Sequence, residues 1–155
     1  MESSVRDRPE QRRLESKIFP CWFMDRKERV VKVGPYRECD RAGLIRMYDG
    51  FEPKSAAQGL PPAEEEVRHK WIDDILKAGS HVIIWVENRL AGHAVFFDIG
   101  AGGRAEWGIF IHQDYQNAGI GSVMTQLGRS WAAELGYEKT RSEERRVGKE
   151  CTLRC

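Results

Sequence analysis

Long apolar runs are missing from this 155-residue chain. None approaches the roughly 18 residues that a membrane-spanning helix needs. The opening stretch, MESSVRDRPEQRRLESK, lacks the apolar centre of a secretory leader. Excess charge of one sign is also missing, since 25 Lys and Arg against 24 Asp and Glu leave a net charge of +1. That balance supplies no global field to draw in nucleic acid or an anionic membrane. Small molecules or proteins remain as partners. Cysteine is sparse, and the spacing of Cys21, Cys39, Cys151 and Cys155 fits no zinc motif, so no metal is expected. An even count allows two disulfides, but nothing else points to secretion. The thiols are therefore read as reduced and the chain as cytoplasmic. No internal repeat is present. With 41% hydrophobic and 32% charged residues, most of the chain reads as one globular domain able to bury a core.

Residues 1–17 are charged and poor in apolar side chains, which suits a mobile or loosely docked arm. FPCWFM (19–24) and RVVKVGPY (29–36) flank DRKE and predict a hairpin. YRECDRAGLIRMYDGF (36–51) sets Ala42, Leu44, Ile45, Met47 and Tyr48 near helical spacing, with Asp40 as a candidate cap. EPKSAAQGLPP (52–62) is a loop. AEEEVRHKWIDDILKAG (63–79) predicts an amphipathic helix whose apolar face runs through Val67, Trp71, Ile75 and Leu76. HVIIWVE (81–87), LAGHAVFFDIG (90–100) and AEWGIFIH (105–112) are three strands that turn at NR and AGG. A helix over 121–136 ends at Gly136, and YEKT (137–140) begins another strand. A meander followed by a helix and a strand is an α+β or mixed α/β pattern.

The segment HQDYQNAGIGSVM (112–124) places Gly119 and Gly121 where a helix is about to begin. Glycine inside a helix costs roughly 0.5–1 kcal/mol relative to alanine, so something should compensate. A strand running through a glycine loop into a helix N-terminus is a recurring anion site, because the first helical N–H groups have no partner and the dipole favours negative charge. Gln116, Asn117, Ala118, Gly119, Ile120 and Gly121 suit that role. The plainer reading is a turn that merely starts a helix. A P-loop is excluded because Ser122 and Val123, not Lys and Ser/Thr, follow Gly121. A dinucleotide fingerprint is excluded because position 124 is Met124 and a meander precedes the motif.

FIHQDYQNAGIGSVM resembles motif A of the GNAT superfamily of acyl-CoA-dependent N-acetyltransferases, with Gln116-Asn117-Ala118-Gly119-Ile120-Gly121 in the place of Gln/Arg-x-x-Gly-x-Gly/Ala. The order of elements over roughly 110 residues follows the same family. The resemblance implies an α+β fold with a central, mostly antiparallel sheet and flanking helices. It implies acetyl-CoA as co-substrate, with no metal, and direct transfer to a primary amine: a protein lysine, an N-terminus or a small molecule. Carried over, Asn117 through Ser122 cradle the pyrophosphate and Gln116 shapes the loop. The backbones of Ile109, Phe110 and Ile111 bind the pantetheine arm, and an N–H near Ile111 faces the oxyanion.

Glu106 is the candidate base, against the alternative of a solvated or ion-paired strand residue. His112 reads as a loop residue, with a base as the alternative, and His93 as a packed or surface histidine. Tyr115 is expected to pack on the loop. The segment 49–62 is the expected acceptor-side loop, or else a connection without contacts. A non-catalytic acyl-CoA-binding or protein-interaction module on the same scaffold is the alternative function.

The tail RSEERRVGKECTLRC (141–155) departs from the family pattern of a helix and two further strands. It resembles the conceptual translation of a sequencing-adapter read, the alternative being a natural basic tail that binds an acidic partner. The expectation is a domain over 18–140, truncated after its fifth family strand, with a non-native or disordered tail. The helix that often supplies a thiolate-protonating tyrosine is then missing, and Tyr137 is no evident replacement.

Overall fold

The computed structural model describes residues 16–55, 59–100 and 103–142. The expected arm lies outside them except for Ser16 and Lys17, which bond to the carboxylate of Glu134. The expected hairpin forms from β1 (Cys21–Met24) and β2 (Val30–Pro35), which pair antiparallel. Asp25 closes the turn between them. Its buried carboxylate accepts the N–H groups of Lys27 and Arg29, each at 2.9 Å, and Nε of Arg29 at 2.8 Å.

A short 3-10 turn, Glu38–Asp40, leads into α1 (Arg41–Asp49). Asp40 does not cap that helix. Its Oδ2 reaches back to the N–H of Arg37 at 2.9 Å and closes the preceding turn instead. In α2 (Glu65–Leu76) the buried face differs from the predicted one. Ile72 is fully buried, whereas Val67 is 47% exposed. Arg68 points inward because its guanidinium pairs with Asp49 and donates to the carbonyls of Pro62 and Ala63. Trp71 and Leu76 of the predicted face do pack against the core, so the difference is that Arg68 and Ile72 are buried beside them while Val67 is not.

The meander consists of β3 (Ser80–Val86), β4 (Arg89–Asp98) and β5 (Arg104–Ile111). The first turn centres on Glu87 and Asn88, both at positive φ, one residue earlier than predicted. Ala101 and Gly102 of the second turn lie outside the described residues. Helix α3 (Ile120–Leu135) follows and ends at left-handed Gly136, as expected. It carries the chain over to β6 (Lys139–Ser142), the one strand that runs parallel to its neighbour. Sheet order is β1-β2-β3-β4-β5-β6. Arg141 and Ser142, the first residues of the expected foreign tail, pair with Glu106 and Trp107. Residues 143–155 lie outside the description.

Helices cover both faces of the sheet. On the α3 face, Val31, Val33, Val82, Ile84, Phe96 and Trp107 pack against Met124 and Trp131. On the other face, Ile83 packs with Leu44, Met47, Tyr48 and Phe51 beside Ile72 of α2. This is the expected α+β architecture, antiparallel except for its last pair.

Candidate functional site

Pairing phase decides which backbone groups of β5 are available. His112 donates its N–H to the carbonyl of Ala91 at 2.8 Å, and Ile99 donates to that of Arg104 at 3.0 Å. In an antiparallel ladder, residues alternate between facing and avoiding the partner strand. Even-numbered residues of β5 therefore turn their N–H and C=O groups toward β4, and odd-numbered ones turn away. Ala105 and Trp107 face β6, whose described pairing ends at Trp107. Beyond it, Ile109 and Ile111 face an edge that no described strand covers. Phe110 stands apart from these two. Its backbone belongs to the ladder opposite His93, and its ring packs against Tyr48, Trp71 and Phe51.

The chain leaves β5 through a 3-10 turn, Gln113–Tyr115, capped by His112, whose Nδ1 accepts the N–H of Asp114 at 3.1 Å. Gln116 then folds back and donates its side-chain N–H to the carbonyl of Ile111 at 2.8 Å. That bond ties the loop to the free edge. It leaves the N–H and C=O of Ile109 and the N–H of Ile111 available. Asn117 and Gly119 both have positive φ, at 63° and 87°. Ala118 between them is fully buried. The first α3 amide to meet a carbonyl is Val123, at 3.3 Å from that of Gly119. The N–H groups of Ile120, Gly121 and Ser122 have no intrahelical partner. No side chain caps them, and no acidic residue sits in the first turn.

The two glycines differ in what they need. A Cβ on Gly119 would lie 3.0 Å from Nε of Arg26, in addition to the left-handed backbone there. A Cβ on Gly121 would touch only Cδ1 of Ile111, at 3.8 Å. The protein's own packing thus explains Gly119 and leaves Gly121 unexplained.

Glu106 lies on the opposite face of β5, the same side as Phe110. It is half-buried, and its Oε1 accepts from Nη2 of Arg141 at 3.2 Å. Tyr137 donates its hydroxyl to Asp98, which pairs with Ala105 at the other end of β5 from Ile111. The expected acceptor-side loop is anchored to the β5–α3 connection. Gln113 donates to the carbonyl of Gly50 at 2.7 Å and accepts the N–H of Glu52 at 2.9 Å. Residues 56–58 of that loop are outside the description. Nearby, a cavity of about 360 Å³ is lined by Arg46, Met47, Arg89, His112 and Tyr115 among others.

His93 is packed, as one of its two readings expected, but not against carbon alone. The hydroxyl of Tyr48 lies 2.7 Å from its Nδ1, and Nδ1 of His81 lies 2.9 Å from its Nε2. Nε2 of His81 is 2.5 Å from the carbonyl of Ala78. A carbonyl only accepts, so proton placement follows along the row. His81 donates to Ala78, His93 donates to His81, and Tyr48 donates to His93. Every site is filled with both rings neutral. Burial holds His93 well below the usual histidine range, and the neighbouring His81 adds to this. Burial also lowers His81 and pushes the Tyr48 hydroxyl well up. Sequence reasoning missed this row because its members are 12 and 45 residues apart.

Among the described residues, no helix is long and apolar enough to cross a membrane. No curated protein matches the chain by sequence. Solved structures share its fold at low identity. The GNAT domain of S. lividans PAT superposes with a TM-score of 0.66 at 15% identity, covering 83% of this chain and 80% of that one. An aminoglycoside N-acetyltransferase, AAC(6')-Iy, in complex with CoA gives 0.57 at 13%, covering 81% and 87%. Ribosomal-protein-alanine N-acetyltransferase from Brucella melitensis biovar Abortus 2308 gives 0.52 at 19%, covering 72% and 78%. The sequence model of the Acetyltransferase (GNAT) family matches residues 44–146, from within α1 through α2, the meander, the glycine loop and α3. This chain therefore belongs to the GNAT acetyltransferase family.

Proposed function

We propose that the chain transfers an acetyl group from acetyl-CoA to a primary amine by direct attack. The observation that carries this reading is the start of α3. Three amides there have no partner, beside a glycine that the chain's own packing does not require. A diphosphate held by the amides of Asn117 through Ser122 accounts for both facts, since Gly121 then leaves room for phosphate oxygens. Gln116 keeps the loop in register with the strand. Ile109 offers an N–H and a C=O to the pantetheine amides, as an added strand would, and Phe110 contributes packing rather than backbone bonds. A related fold in complex with CoA supports the choice of carrier.

A thioester supplies an activated carbonyl and a good leaving group. The outward N–H groups of this free edge, at Ile109 and Ile111, serve the carrier as it runs back from the diphosphate, and the one nearest the acyl end stabilises the oxyanion that forms on attack. An amine with an ordinary pKa is mostly protonated at neutral pH. Glu106 takes its proton, through water, before the nitrogen attacks. Attack forms the C–N bond and the oxyanion. Its collapse restores the carbonyl and breaks the C–S bond, the nitrogen gives its surplus proton to solvent, and the thiolate takes one up from solvent. The acceptor is a protein lysine, an N-terminus or a small amine, approached from the face that carries Glu106 and the loop 49–62.

One observation favours the rival, a module that binds acyl-CoA without transfer. The carboxylate of Glu106 is already engaged by Arg141. Titration calorimetry with CoA, combined with thiol release over a panel of amines, separates the two. Heat with CoA plus amine-dependent thiol release supports transfer. Heat without release from any amine supports the rival, and no heat with CoA ends both.

A further inference from the structure

The turn between β1 and β2 takes no part in the chemistry above, yet it is held against the glycine loop. Asp25 fixes its shape with three hydrogen bonds. From that turn Arg26 donates its backbone N–H to the carbonyl of Ala118 at 2.8 Å. Its side chain then runs across Gly119, with Nε, Cγ and Cδ 3.0, 3.2 and 3.5 Å from the place a Cβ would take. Arg29, from the same turn, lies over the ring of Tyr115 at 5.3 Å. The hairpin thus brings two arginines to the loop.

Arg26 is exposed to solvent, and its side chain lies in the weakly positive field of the α3 N-terminus. A helix N-terminus carries about half a positive charge and disfavours a nearby cation. No acidic residue stands in the first turn of α3. Two positive groups therefore converge on one spot, and among the described residues no carboxylate pairs with Arg26 there. An arrangement of this kind gains when an anion arrives, because guanidinium bonds to phosphate are charge-assisted and directional.

We infer that Arg26 is a phosphate-binding residue of the cofactor site, supplied from outside the glycine motif by the N-terminal hairpin. This rests on the reading that CoA binds at the start of α3. The backbone bond to Ala118 does not involve the side chain and is kept with Gln or Lys at position 26, so the docking of the hairpin and the charge are separable.

The test uses the whole chain as wild type, Arg26→Gln and Arg26→Lys. Each is titrated with CoA and dephospho-CoA, and assayed with acetyl-CoA and acetyl-pantetheine as donors. Arg26→Gln is expected to weaken CoA binding about tenfold or more. Arg26→Lys should recover part of the loss, and the KM for acetyl-pantetheine, which has no phosphate, should not change. A loss that persists with dephospho-CoA assigns the contact to the diphosphate. A loss that disappears assigns it to the 3′-phosphate. Either pattern supports the proposal. Binding of CoA by Arg26→Gln at wild-type strength overturns it. So does an equal loss with both donors, which marks a structural role. A folded wild type that binds no CoA overturns the cofactor reading itself, and the role of Arg26 with it.

Discussion

His93 and Phe96 stand three residues apart on β4 and face opposite layers of the molecule. Phe96 meets Trp107, Trp131 and Tyr137, with ring centroids 4.8, 5.2 and 5.7 Å away. It lies in a core of carbon with no buried titratable group in its cluster. His93 lies in a core threaded by polar groups, from Tyr48 through His81 to the carbonyl of Ala78. The division extends to the proposed chemistry. On the α3 side the candidate cofactor contacts are mostly backbone amides, joined by the side chain of Arg26. On the α1–α2 side, Glu106 and the acceptor loop act through side chains. One face is thus suited to holding an invariant carrier, and the other can vary with the acceptor.

The largest expected effect tests the side-chain face. Glu106→Gln should lower kcat by roughly a hundredfold to ten-thousandfold while CoA affinity holds. The new amide oxygen still accepts from Arg141, so the local fold is kept. A kcat within threefold of wild type would remove Glu106 from the mechanism.

Next comes the carbon core. Phe96→Ala should cost about 3–5 kcal/mol of stability in denaturant melts. A cost below about 1 kcal/mol would mean that the α3 layer is far less tightly packed than its ring contacts indicate.

The polar core predicts a smaller but pH-dependent effect. Tyr48→Phe removes the donor to His93 and leaves a buried acceptor unfilled, for about 1–3 kcal/mol. Folded His93 and His81 both hold protons less tightly than an ordinary histidine of pKa 6.5. The unfolded chain binds more protons than the folded one below that pH. Stability is therefore fully present above about pH 6.5 and is lost as the pH falls through it. Melting temperatures measured from pH 8 to pH 5 should fall in wild type. They should fall less in a His81→Asn, His93→Asn double variant, and parallel profiles would refute the neutral row.

The smallest effect is the sharpest for the backbone face. Gly121→Ala relieves a helix penalty of roughly 0.5–1 kcal/mol, and its Cβ meets only Ile111. It should raise the melting temperature slightly and weaken CoA binding. Higher stability with unchanged affinity would show that Gly121 serves no ligand.

Most of the architecture could be read in advance because its signals are local. Alternation marked the strands, Gly136 marked the end of α3, and the glycine pair after a strand marked the loop. The site was legible to the same depth at Gln116 and Gly119, which act within a few residues of their own positions. Reading failed where a distant partner decided the outcome. Asp49 holds Arg68 inward on α2, and Val67 is left exposed. Arg37 took the carboxylate of Asp40.

Chain order and residue type thus settled the succession of elements, the hairpin around Asp25 and the glycine turn into α3. These depend on steric preferences and periodicities that span a few positions. Strand register settled the rest. It turned the backbone of Phe110 into the ladder while leaving Ile109 and Ile111 at the edge, and it lined up His81, His93 and Tyr48. It also brought Arg26 to Ala118, across 91 intervening residues. Hydrogen-bond phase and the meeting of distant side chains are properties of paired segments, and no single segment encodes them.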